Sequence, residues 1–121
     1  MITTALLAGK LLLVGDLSMD GYMEKVHEVC QMLLDQVEVD PQTRVIFVGD
    51  VSNGKGLQKS YDELLKTPCG RIAPLIYAVP GNHDYDQVKC TEGIPIFYNQ
   101  PFRLGERGFG YQTLDLGPWA I

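Results

Sequence analysis

Long apolar runs, clustered basic residues and a regular cysteine pattern are all missing from this chain of 121 residues. No apolar run approaches the roughly 20 residues a bilayer-spanning helix needs, so no membrane span is expected. The opening segment, residues 2–9, is short and has neither a basic lead-in nor a cleavage-like end. It is not read as a signal peptide, and a cytoplasmic location is the default expectation. The ten Lys and Arg residues are scattered and the net charge is -5, which speaks against a surface built to neutralise nucleic-acid phosphates. The three cysteines, Cys30, Cys69 and Cys90, are odd in number and widely spaced. Neither a disulfide framework nor a Cys-x-x-Cys zinc site follows from them. Cys30 falls on the apolar side of a helical stripe, where a buried structural thiol is expected.

What is present fits an ordinary globular composition, 45% apolar and 21% charged, without repeats or low-complexity segments. The length allows one domain, which at this size buries roughly two thirds of its unfolded surface. Residues 10–14, 44–48 and 75–79 are short apolar runs bounded by turn formers and read as strands; the first is expected to be buried on both faces. Met23, Val26, Val29, Cys30, Leu33, Leu34 and Val37 recur at spacings of three and four and predict a helix, with Asp20 placed to cap it and Pro41 to end it. A second, shorter helix over 57–66 turns Leu57, Tyr61, Leu64 and Leu65 inward, and 67–70 breaks it. Alternating strands and helices predict an α/β fold on a parallel sheet. Residues 85–110, rich in Gly and Pro, read as a long irregular excursion with at most a short helical turn. Tyr85, Phe97, Tyr98 and Phe102 lie in it, to line a pocket or to pack the loop onto the sheet. Residues 111–116 alternate like a strand, and Trp119 to Ile121 look like the start of another.

Each of the first three strands runs into a polar turn: Gly15-Asp16, Gly49-Asp50 and Gly81-Asn82-His83-Asp84. Loops that follow parallel strands emerge on one edge of the sheet, where ligands bind in such folds. Asp16, Asp50 and Asn82 are therefore expected to converge. Two carboxylates and an amide gathered bare would repel, and a divalent cation is the usual remedy. Such cations would also let an acidic chain act on phosphates. The segment Gly49-x-x-x-x-Gly54-Lys55 comes close to a phosphate loop, but Gly56 stands where Ser or Thr would hold Mg²⁺.

These motifs, in this order and at intervals that fit one crossover each, resemble the calcineurin-like metallophosphoesterase family. The later segment from Tyr111 through Leu114-Asp115-Leu116-Gly117 is also similar to a strand of those enzymes. The resemblance covers most of the chain and implies the parallel-sheet half of an α/β/β/α sandwich, truncated before its second half. It implies a phosphomonoesterase or phosphodiesterase with two divalent metal ions, Mn, Fe, Zn or Mg. Asp16 would hold the first, Asp50 would bridge both and Asn82 would hold the second. His83 would face the leaving oxygen of a phosphoester substrate, and Asn53 would orient His83. The pattern departs from the family at Ser18, where Asp-x-His is usual, a weak replacement for imidazole on a transition metal, for which Asp20 is a second candidate. No Gly-His-x-His motif follows, and His27, on the polar side of the first helix, is expected to be solvated. The chain is thus expected to be one incomplete domain, 1–121, weakly active or inactive alone, poorly soluble, or paired with its missing half or a partner chain. A degenerate, non-catalytic scaffold for partner binding is the alternative.

Overall fold

The computed structural model describes residues 10–15, 17, 23–52, 58–84 and 93–104. Within them four strands form one parallel sheet in chain order: β1 (Leu11–Val14), β2 (Arg44–Val48), β3 (Ile76–Val79) and β4 (Arg103–Leu104). Helix α1 (Met23–Val39) connects β1 to β2. Helix α2 (Gln58–Leu65), the single turn α3 (Cys69–Ile72) and a 3₁₀ turn (Ala73–Leu75) lead into β3, and α4 (Gly93–Tyr98) precedes β4.

The helices form where the apolar spacing put them. Val26, Cys30, Leu33 and Leu34 of α1 are buried, with Met23, Val29 and Val37 half-buried beside them. Past Val39 the chain turns on Asp40, whose carboxylate accepts the N–H of Gln42 at 3.0 Å while its own carbonyl accepts that of Thr43 at 2.9 Å. That turn closes the helix and delivers the chain into β2. Thr67 ends the next helical stretch by returning its hydroxyl to the Leu64 carbonyl at 2.5 Å. Gly70 then lets the chain pass close to Leu65, because a Cβ there would stand 1.9 Å from the Leu65 oxygen.

Strand register sorts the side chains into two faces. Leu12, Val45, Ile76 and then Val14, Phe47, Ala78, Leu104 stand in adjacent rows on one face and belong to the same apolar core as the helices. On the other face Leu13 is 64% exposed and Val48 51%. The expectation that β1 is buried on both faces is therefore not met. Among the described residues the run of four apolar residues occurs on an edge strand, and the helices that share its core lie on one side.

Two further expectations change. Cys30 is not a free thiol: it is joined to Cys69 by a disulfide that ties α1 to α3, with Cα atoms 5.0 Å apart. Both cysteines are fully buried, so it is the packing of α3 against α1, invisible in the spacing of cysteines along the chain, that pairs them. The excursion over 85–110 contains the expected helical turn, α4, but also β4, a strand the sequence reading did not place. Phe97 and Phe102 are buried, Phe102 against Phe47 with ring centroids 5.6 Å apart, so these aromatics pack the segment onto the sheet. His27 is exposed, as expected. Among the described residues no helix is long and apolar enough to cross a membrane.

Candidate functional site

Strands β2 and β3 are neighbours and parallel, so the turns after Val48 and Val79 lie side by side. Their backbones touch at glycine. Gly49 has φ +84°, and a Cβ there would stand 3.3 Å from the Gly81 Cα. At Gly81 a Cβ would meet the Asp50 carboxylate oxygen Oδ1 at 2.2 Å and the Asp50 nitrogen at 2.4 Å. No side chain fits there, which gives a physical reason for glycine in both motifs. Asp50 itself has φ 53°, a left-handed conformation that Asp tolerates better than most residues. The two positive φ values turn the chain so that the Asp50 carboxylate faces the second loop.

That carboxylate is held by the neighbouring turn: Asp50 Oδ1 accepts the backbone N–H of His83 at 2.8 Å. Asn82 lies between Gly81 and His83, so the contacts of Asp50 bracket it. Residues Asn82–Asp84 form a 3₁₀ turn in which Asn82 is exposed and His83 half-buried. The structure thus brings together three of the five residues singled out from the sequence, Asp50, Asn82 and His83. Asp16 and Asn53 lie outside the described residues, as do Ser18, Asp20 and the segment 111–117. His83 Nδ1 is buried and has no hydrogen-bond partner among the described residues.

Asp84 was quoted in the motif without a role, and the structure gives it one. It is fully buried, and its carboxylate accepts four hydrogen bonds. Oδ2 takes the N–H groups of Val51 at 3.1 Å and Gly81 at 2.8 Å. Oδ1 takes the N–H of Ser52 at 2.8 Å and the hydroxyl of Tyr61 at 2.9 Å. Ser52 in turn donates its hydroxyl to the His83 carbonyl at 2.7 Å. A carboxylate offers about four acceptor sites, so this buried group is satisfied and binds both loops to each other. Burial, then the charge of Asp84 and the bond to it, push the Tyr61 phenol well above its ordinary range, against a smaller opposing effect of Ser52. The hydroxyl therefore remains a donor.

A sequence model described as calcineurin-like phosphoesterase matches residues 9–119. The chain belongs to the calcineurin-like phosphoesterase family. Its four-stranded parallel sheet and helices are consistent with part of a phosphoesterase fold of that type. No curated protein and no solved structure matches the chain.

The family works with divalent metal ions, and the residues present can be weighed against such a group. Among the described residues no cluster of three or more His, Cys, Asp and Glu is placed to hold a metal ion. The two loops that meet carry a carboxylate, Asp50, and an amide, Asn82, residue types that offer hard oxygen ligands of the kind Mg²⁺ and Mn²⁺ take. The Asp50 carboxylate is oriented by a backbone N–H, the type of support that aims a metal ligand. The described residues fit as part of a ligand set.

Proposed function

We propose that this chain is a phosphoester hydrolase that acts on a phosphomonoester or phosphodiester through two divalent cations. Asp16, Asp50 and Asn82 would hold them. When bound, such ions lower the pKa of water and offset the charge of the phosphoryl oxygens. The chain's own residues do the rest. Asp50, fixed by the His83 N–H, presents its carboxylate at a set position, and Asn82 is exposed on the adjoining turn. His83 stands beside them with its ring half-buried, suited to give a proton to the departing oxygen. Asn53 would orient that ring by a neutral hydrogen bond. The observation that carries this reading is the bond from His83 N–H to Asp50 Oδ1, which locks the two motif loops into one rim.

Metal content by elemental analysis and hydrolysis of p-nitrophenyl phosphate and its bis-ester test the proposal together. Asp50→Ala is expected to lose activity and bound metal. His83→Ala is expected to lose roughly 10²–10⁴-fold in turnover, the usual share of a general acid, while keeping its metal. Loss of metal in the His83 variant would refute the role given to that residue. A protein that takes up no metal and hydrolyses neither ester would instead be the non-catalytic scaffold that Ser18, in place of the usual His, already favours.

The sequence leads to the cytoplasm as the expected location. The Cys30–Cys69 disulfide favours an oxidising compartment instead.

A further inference from the structure

Helix α2 carries no residue of the candidate site, yet one of its side chains ends there. Tyr61 is fully buried, and its hydroxyl is 2.9 Å from Asp84 Oδ1. Of the four donors on that carboxylate, three are backbone N–H groups of the two loops themselves. Tyr61 is the fourth, and it comes from a different element. Its ring is held in turn: Phe97 of α4 packs edge-on at 6.3 Å between centroids. Gln100, just past α4, exchanges side-chain hydrogen bonds with Gln58 at the start of α2, at 2.8 and 3.3 Å. The hydroxyl is thereby delivered to a fixed point by a rigid side chain on a helix that the α4 segment holds at two positions.

We propose that Tyr61 is a positioning residue of the site, its hydroxyl holding Asp84 so that the Asp50 and His83 loops keep one fixed relation. This deepens the hydrolase reading and rests on it for its functional meaning. The physical chain is short. Asp84 Oδ1 is shared between Tyr61 and the Ser52 N–H, and Ser52 also bonds the His83 carbonyl. Removing the hydroxyl leaves an acceptor site of a buried carboxylate bare, and the neighbouring Ser52 hydroxyl is already donated to the His83 carbonyl. The carboxylate recovers a partner by drawing that hydroxyl away from His83 or by opening toward water, and either one moves the turn that carries Asn82 and His83 relative to Asp50. A tyrosine that served only as core filling would transmit nothing of the kind, because phenylalanine has nearly the same shape.

Amide hydrogen exchange in Tyr61→Phe, compared with Leu64→Val as a core variant on the same helix whose side chain can offer Asp84 no hydrogen bond, reads this directly. The amides of Val51, Ser52 and Gly81 are expected to exchange about tenfold faster in Tyr61→Phe than in the control. Strand amides such as Phe47 and Ala78 should change alike in both variants. Equal acceleration at all these positions would overturn the proposal and leave Tyr61 a filler. The wild-type chain gives a second measure that needs no variant: a resolved, slowly exchanging Tyr61 hydroxyl proton with a nuclear Overhauser contact to the Ser52 amide. Its absence in a well-dispersed spectrum would also overturn the proposal. Mn²⁺ affinity, read by electron paramagnetic resonance, is expected to weaken severalfold in Tyr61→Phe and to stay unchanged in Leu64→Val. Failure of the wild type to bind Mn²⁺ would count against the hydrolase reading alone, since the exchange pattern still decides the role of Tyr61.

Discussion

The buried phenol of Tyr61 ties the stability of the fold to alkaline pH. Burial and the adjoining Asp84 raise its phenol above the ordinary value near 10. Below that pH both the folded and the unfolded chain hold the proton, and the stabilisation is present in full. As pH rises past about 10 the unfolded chain releases the proton and the folded one keeps it, so unfolding becomes progressively easier, by up to about 1.4 kcal/mol per pH unit. Tyr61→Phe has no such proton. Urea unfolding measured from pH 9 to 11.5 should therefore show the wild-type stability falling more steeply than that of the variant. Parallel curves would mean that the phenol ionises as readily in the fold as out of it. The residues around this group show what a sequence can reveal. That the turns of Asp50 and His83 would meet was legible because each directly follows an apolar strand. Asp84 was not: its partners Val51 and Ser52 lie 33 and 32 residues earlier in the chain, and nothing local says that their N–H groups will meet its carboxylate. Helical spacing could place Tyr61 inward, but it could not say what its hydroxyl would reach.

At the level of the elements, among the described residues the sheet has one packed face and one more exposed face, and β2 carries both. Phe47 is fully buried between the helices and its neighbours in the strand rows, whereas Val48, next in sequence, is 51% exposed. Truncating Phe47 to alanine removes a large aromatic from a packed interior and is expected to cost about 3–5 kcal/mol. Val48→Ala should cost less than about 1 kcal/mol, because half of that side chain is already in water. Thermal or urea unfolding of the two variants checks this, and similar losses at both positions would show that the second face is covered as well. The sequence predicted three strands and two helices close to their observed bounds, because spacings of three and four in α1 and β-branched runs in β2 are local signals. It could not tell one-sided from two-sided burial of β1, since four consecutive apolar residues carry no alternation. Nor could it show β4, whose two residues become a strand only because the edge of β3 is there to accept them.

For the molecule as a whole, the disulfide between Cys30 and Cys69 is the feature with the widest reach. It joins α1 to α3 across a sequence separation of 39 residues, and so spans β2 and α2. A domain of this length has a modest core, so a cross-link that restricts its unfolded chain is a large contribution. In the chain-entropy account a loop of this size is stabilised by about 4 kcal/mol. For a domain of this size that corresponds to a melting temperature higher by on the order of 10 °C. Dithiothreitol should accordingly lower the melting temperature of the wild-type protein and leave a Cys30→Ala, Cys69→Ala variant unmoved at its own lower value. Peptide mapping under non-reducing conditions should recover residues 30 and 69 linked, leaving Cys90, outside the described residues, as the remaining cysteine. A wild-type protein insensitive to reductant, with both thiols free on mapping, would restore the buried thiol expected from the sequence and with it the cytoplasm as the fitting compartment. A linked pair would mean that this phosphoesterase chain is stable in full only where thiols are oxidised. In that case the helices packed behind the sheet, and with them the Tyr61 support of the site, would depend on the same bond.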